Sequence, residues 1–404
     1  MAHFTYRCTD CNRTFSRDEV RYLCSTCGEA YRPGIPLQGV LEAIYDYAAI
    51  ASAFDPSRPD WGLFCPVESE FHPPFPVGNT PLVRADKLGA ALGLQTLWVK
   101  NDGLNPSGSL KDRASFLVVA EARRVGEKRI VAASTGNAAS ALAAVCATTD
   151  REALIFVPER APKAKLVQMV LYGAKVVPVK GTYDDAFRLS LEYTAKRGGL
   201  NRNTAYHPLT IEGKKTAGLE IWAQLGFVAP DAVVVSVGDG VILAGLHKAF
   251  ADLKRAGLIA KLPRLVCVQA ETSDSIHRYI QTGRYADAMN PTTRADSISV
   301  SCPSNAHWAR RAVLESEGCS LVVSDAEILE AQARMARTTG IFGEPAAAAA
   351  AAGLVKLQAS AQGLDAGARV VVLATGHGLK DVEAPLARVS IPAAIEPTLE
   401  AVAE

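Results

Sequence analysis

Beyond about residue 80, short apolar and β-branched runs alternate with longer stretches of helical period. The runs fall at 96–100, 130–133, 154–157, 176–179, 232–237, 265–269, 321–323 and 370–374. The helical stretches fall between them, at 110–125, 138–148, 162–172, 183–197, 212–225, 243–255, 305–315, 325–339 and 345–358. Near-continuous apolar strands separated by helices predict an α/β fold of parallel sheets covered on both faces. The alanine run 346–352 reads as a strong helix, with Pro345 pre-set for its first turn. Ahead of this pattern, residues 4–31 form a cysteine knuckle. Residues 33–80 are rich in proline and aromatics and predict an extended arm interrupted by one short helix around 39–53.

Composition narrows the picture. Of 404 residues, 49 % are hydrophobic and 21 % charged, enough apolar surface for a sizeable core and against wholesale disorder. A net charge of +1 gives no general attraction for nucleic acid or an anionic membrane. No apolar run approaches the roughly 18–20 residues of a membrane span. The opening Met1 to Cys8 is polar and lacks the apolar core of a signal peptide. The expectation is a soluble, cytoplasmic protein with neither a nucleic-acid nor a membrane partner.

Nine cysteines sharpen the N-terminus. An odd number, with no signal peptide, argues against a disulfide framework. Cys8, Cys11, Cys24 and Cys27 read C-x2-C, twelve residues, C-x2-C. Two such turns on facing hairpins close a tetrahedron of thiolates around Zn2+, with no open position for chemistry. The expected metal role is structural; a metal-free knuckle is the alternative. Arg7, Arg13, Arg17 and Arg21 are offset by Asp10, Asp18, Glu19 and Glu29, so the knuckle carries no basic face for nucleic acid.

Four further motifs carry chemistry. Asn105-Pro106-Ser107-Gly108-Ser109-Leu110-Lys111 is a turn that puts a lysine in a first helical turn. There the helix dipole eases loss of its proton, and a neutral amine is what forms a Schiff base. Ser134-Thr135-Gly136-Asn137 lies at a strand-to-helix junction, where backbone amides can hold a carboxylate. Val237-Gly238-Asp239-Gly240-Val241 is a second such junction, suited to a phosphate. Thr375-Gly376-His377-Gly378 follows the last strand, where open α/β sheets bind ligands. Each has a plainer reading: a solvated lysine, a helix cap by Ser134 or Thr135, a glycine turn.

Taken in this order and spacing, N-P-S-G-S-L-K-D-R, S-T-G-N and T-G-H-G-L-K-D resemble the threonine synthase group of fold-type-II pyridoxal-phosphate enzymes, in the tryptophan synthase beta superfamily. The resemblance spans nearly the whole chain, knuckle included. It implies two doubly wound, mainly parallel sheet domains plus a small zinc ribbon at 1–35. The large, cofactor-binding domain would comprise 36–110 and 200–404, the small one 111–199. By the same resemblance Lys111 is the Schiff-base lysine. Asn137 contacts the 3-hydroxyl of pyridoxal 5'-phosphate, and Thr375 its ring nitrogen. Gly238, Asp239, Gly240 and Val241 offer amides to its phosphate. Ser134 and Thr135 hold the carboxylate of a small amino-acid substrate, and Glu344 matches a glutamate near the site. Glu344 also reads as a favourable acid at a helix N-terminus. The implied reaction converts O-phosphohomoserine to threonine by elimination and water addition, in a homodimer.

This chain departs from the group where the substrate phosphate is held. The group's N-P-x-R-x-E-G-x-K-T segment reads His207-Pro208-Leu209-Thr210-Ile211-Glu212-Gly213-Lys214-Lys215-Thr216, with Thr210 in place of arginine. Ala205, Ala138 and the Val241-Ile242 pair depart as well. Lys214 and Lys215 are the cations expected to compensate, with His207 and Arg113 as further candidates. Adjacent helix residues diverge, so at most one of the two lysines should face the site. The alternative keeps the cofactor and changes the substrate: an ammonia-lyase, dehydratase or β-replacement enzyme for another, unphosphorylated amino acid.

Overall fold

The computed structural model describes residues 4–32, 34–161, 163–386 and 391–402. Each strand and helix expected beyond residue 80 is present. The helix expected at 162–172 is described as Lys163–Leu171, its first expected position lying outside the described residues. Short elements add to these: strands Leu82–Arg84 and Leu200–Asn201, and helices Asp86–Ala91 and Ser275–Thr282.

The strands form two main sheets. The larger has six, in the order Cys319–Val323, Arg264–Ala270, Ala232–Ser236, Arg369–Ala374, Thr96–Asn101 and Leu82–Arg84. All neighbours are parallel except the edge strand Leu82–Arg84, which is antiparallel to Thr96–Asn101. The smaller has four parallel strands, in the order Lys175–Val179, Glu152–Pro158, Arg129–Ala133 and Leu200–Asn201. Central strands are buried on both faces, which is why Val233, Val234 and Val235 run without a polar interruption. Helix Pro345–Gln358 packs one face of the larger sheet through its alanines, all buried. Helices Leu209–Gln224 and Val241–Arg255 cover the other face. Gly213 lets Leu209–Gln224 close on helix Lys111–Arg124: a Cβ there would run into the Arg113 carbonyl.

The arm differs from expectation. Residues 39–53 hold a strand, Leu41–Tyr45, before the helix Tyr47–Ala53. The strand pairs antiparallel with Phe4–Cys8, and Phe4–Cys8 with Thr14–Phe15. Asp46 then accepts a hydrogen bond from the Ala49 amide at 3.0 Å and starts the helix. This three-stranded ribbon is no free appendage. Phe4, Tyr6, Phe15 and Tyr45 share one hydrophobic core with Trp222 and Phe250 of the main body. No described helix is long and apolar enough to cross a membrane.

Candidate active site

Parallel strands of both main sheets deliver their following loops to one cavity of about 580 Å³. Its lining includes Lys111, Ser134, Thr135, Asn137, Lys214, Gly238, Asp239, Gly240, Val241 and Thr375. The sequence motifs, up to 264 positions apart from Lys111 to Thr375, therefore converge at the carboxyl ends of the strands, where open α/β sheets place ligands.

Lys111 opens helix Lys111–Arg124. Its loop is zipped to the loop after the last strand: the Leu110 amide donates to the Thr375 carbonyl and the His377 amide to the Gly108 carbonyl, both at 2.9 Å. Burial lowers the Lys111 pKa, with the Glu344 carboxylate opposing. Glu344 is itself buried, at 3 % exposure, and burial raises its pKa against the pull of Lys111 and Asn137. Both of its oxygens accept from the Asn137 amide nitrogen, at 2.9 and 3.0 Å. Asn137 thus reaches the cavity with its amide already engaged, a pairing that nothing in the sequence announced.

Two helix N-termini open into the cavity with glycine at the capping position and no side-chain cap. At Asn137–Cys146 the capping position is Gly136, so neither Ser134 nor Thr135 caps the helix. The Ser134 hydroxyl instead accepts from the Gly136 amide at 3.2 Å. At Val241–Arg255 the capping position is Gly240, with φ +85°. A Cβ on Gly240 would lie 2.8 Å from the Ala309 Cβ, and one on Gly238 would lie 2.9 Å from the Ile298 Cα. Glycine is required for this cradle to sit on the loops behind it. The Asp239 carboxylate turns away onto Ser304, accepting from its amide at 3.2 Å and hydroxyl at 3.3 Å. The loop therefore offers backbone amides, as an anion cradle must.

The expected compensating cations separate sharply. Lys214 lines the cavity and Lys215 does not. Lys215 points into a buried network with Glu212 at 2.5 Å, Asp252 at 3.3 Å and the Tyr45 hydroxyl at 3.0 Å, which removes it from the substrate-binding set. Arg113 is held by Asp102 at 2.7 Å and Glu220 at 2.6 Å. His207 is buried, its pKa lowered by burial to about 4, and its Nδ1 accepts from the Leu209 amide. Thr210, where arginine was expected, serves a turn: its hydroxyl donates to the His207 carbonyl at 2.7 Å and accepts from the Ala205 amide at 3.1 Å.

One cation escaped the sequence reading. Arg202 follows the short strand Leu200–Asn201, lines the cavity and is 1 % exposed. Its position just past a strand was the available signal, and that strand was too short to read. Tyr31, Ile35 and Leu37, just past the four cysteines, also form part of the wall. The Leu37 amide donates to the Ser304 carbonyl at 2.9 Å. The cysteine sulfurs lie within 4.8 Å of one another, a donor set that fits one tetrahedral metal.

The family described as "Pyridoxal-phosphate dependent enzyme" matches residues 74–376. The chain belongs to that family. Among curated relatives, it is 36 % identical to the threonine synthase of Methanocaldococcus jannaschii over 96 % of each chain. It is 35 % identical to that of Methanosarcina acetivorans, over 98 % of this chain and 97 % of the relative. Among solved structures, threonine deaminase isoform 2 from Solanum lycopersicum superposes with a TM-score of 0.66 at 23 % identity, over 76 % of this chain and 88 % of that one. That likeness speaks for the fold. The cavity fits the family cofactor: a glycine cradle for the phosphate, a lysine in the same chamber, and a hydroxyl at Thr375.

Proposed function

We propose that this chain is a threonine synthase-like lyase that eliminates a distal phosphate from O-phosphohomoserine and adds water. The observation that carries the reading is the convergence of Lys111, two uncapped helix N-termini and Thr375 on one cavity, in a chain aligned end to end with threonine synthases. Bound pyridoxal phosphate supplies an electron sink for the substrate α-carbon. Lys111 anchors it, then serves as the base that takes the α-proton, a role suited to its lowered pKa. Gly238, Asp239, Gly240 and Val241 hold the cofactor phosphate through their amides. Thr375 addresses the ring nitrogen; a hydroxyl there keeps the ring a weaker sink than a carboxylate would, which favours expulsion of a leaving group. Ser134, Thr135 and the amides opening helix Asn137–Cys146 hold the substrate carboxylate. Asn137 and Glu344 act together beside the cofactor oxygen.

The same proposal places one structural Zn2+ on Cys8, Cys11, Cys24 and Cys27, and makes the protein a cytoplasmic homodimer. The test is an assay of the purified enzyme with O-phosphohomoserine beside serine, threonine and 3-substituted amino acids. Threonine and phosphate released from the first supports the reading. Turnover of an unphosphorylated amino acid alone would transfer it to the ammonia-lyase or β-replacement alternative.

A further inference from the structure

A pyridoxal-phosphate enzyme that acts on an α-amino acid meets two anions in any case, the cofactor phosphate and the substrate carboxylate. Two uncapped helix N-termini in this cavity answer them. The cavity nevertheless holds two further cations. Arg202 is 1 % exposed; its Nε donates to Ser115 at 3.1 Å and its Nη1 to Thr204 at 3.3 Å. Its Nη2 is buried with no hydrogen-bond partner, and Arg202 makes no ion pair among the described residues. Lys214, at 2 % exposure, makes neither an ion pair nor a side-chain hydrogen bond among the described residues.

Burying unpaired cations costs several kcal/mol each, and proteins ordinarily pair such groups. Here the two cations also oppose each other. Arg202 and Lys111 both push the Lys214 pKa down beyond the effect of burial, and only Asp239 pulls the other way. Burial brings the Arg202 pKa down to about 10, still charged at neutral pH. A guanidinium tied down by two hydroxyls, with one nitrogen left over, is a preorganised half of a fork.

We propose that Arg202 and Lys214 form a third anion subsite that holds the distal phosphate of the substrate. Resting on the reading above, this assigns the job of the missing arginine at position 210 to a residue eight positions earlier, which enters from the end of strand Leu200–Asn201 and not from helix Leu209–Gln224. A doubly charged phosphate monoester matches two cations in number as well as sign. A sulfonate or second carboxylate shares the chemistry with a single charge and would bind less tightly.

The experiment uses the cofactor-loaded enzyme and two probes. The first is inorganic phosphate, its binding followed by calorimetry and by the change in the absorption band of the cofactor. The second is the ratio of kcat/KM for O-phosphohomoserine to that for an uncharged amino acid of similar length. Arg202→Met and Lys214→Met should each weaken phosphate binding and lower that ratio, by roughly ten- to a hundredfold. Arg202→Lys should recover part of both if the variant keeps its cofactor spectrum and melting temperature. If phosphate is bound in an Arg202-dependent way but no phosphorylated amino acid is turned over, the subsite stands and the substrate assignment falls. Phosphate affinity unchanged in both methionine variants, or equal losses on charged and uncharged substrates, would overturn the subsite whatever the substrate is.

Discussion

Lys214 and Lys215 are neighbours on one helix, both almost wholly buried, and they live in opposite worlds. On the side facing the ribbon, Lys215 and Lys248 meet Glu212 and Asp252, with Tyr45 bridging. Both ammonium groups also sit over the Tyr45 ring, at 4.2 and 4.8 Å from its centroid. Within this quartet two positive charges face two negative ones, and Arg255 approaches Asp252 from the edge at 3.7 Å. On the cavity side, Lys111, Arg202 and Lys214 face Glu344 and Asp239, of which Glu344 is engaged by Asn137 and Asp239 by Ser304. A paired buried charge holds elements together; an unpaired one waits for a ligand. The pairing state, not the burial, separates a structural cation from a functional one.

The largest effect expected from breaking this contrast is chemical. Lys111→Ala should lower turnover on the order of a thousandfold or more. It should also abolish the covalent link to the cofactor, while leaving the melting temperature of the cofactor-free chain within a few degrees. Mass spectrometry after borohydride reduction checks the anchor; an adduct on another lysine would refute the assignment.

On the paired side the same kind of change should strike stability. Lys215→Met strands Glu212 and Asp252 with one cation fewer, and breaking a buried pair from one end costs about 3–5 kcal/mol. Urea unfolding measures it. A loss below about 1 kcal/mol would mean the network contributes little.

Metal removal tests the link between ribbon and body. Tyr45 ends the ribbon strand Leu41–Tyr45, and Tyr31, Ile35 and Leu37 line the cavity. Chelation, or Cys24→Ser, should release one zinc per chain and expose residues 4–32 to proteolysis. The shifted wall should also raise KM roughly tenfold, equivalent to about 1.4 kcal/mol. Metal content by mass spectrometry and steady-state kinetics read the two halves separately. An unchanged KM with the zinc gone would confine the ribbon to a purely structural role.

How far the sequence reached follows the same physics. The central strands were legible because both of their faces are buried, so they read as unbroken apolar runs. Glycine-bearing turns were legible because few residues other than glycine reach φ +85° at Gly240. Leu82–Arg84 and Leu200–Asn201 are too short for any period to show. Of the helix expected around 39–53 only Tyr47–Ala53 forms, because Leu41–Tyr45 is drawn into a strand by pairing with Phe4–Cys8, 33 or more residues away in the chain. Charge pairing was the least legible of all. Thr210 marked an arginine as lost, but that Arg202 stands in the same cavity depends on where a two-residue strand ends.

The smallest effect expected is also the most diagnostic. In the cofactor-loaded enzyme without added anion, Lys214 is a desolvated amine beside Arg202, its proton held less tightly than in water. Lys214→Met keeps the volume and removes the unpaired buried amine, so the variant should be at least as stable as the parent. The pH dependence fixes the sign. The folded pKa of Lys214 is depressed by burial, by Arg202 and by Lys111. Below the unfolded value near 10.5 the unfolded chain binds that proton more readily than the folded one, which costs the parent stability. As pH rises through 10.5 the unfolded lysine also loses its proton, so the cost fades and the gap between variant and parent should close. Adding inorganic phosphate at neutral pH should reverse the order, because a ligand stabilises the form that binds it by RT ln(1 + [L]/Kd) and the variant has lost half of the subsite. Melting curves of both proteins, with and without phosphate at pH 7 and pH 10.5, contain the whole test. A Lys214→Met variant less stable than its parent by more than about 1 kcal/mol without phosphate would show that Lys214 is paired after all, and would move it to the structural side of the helix.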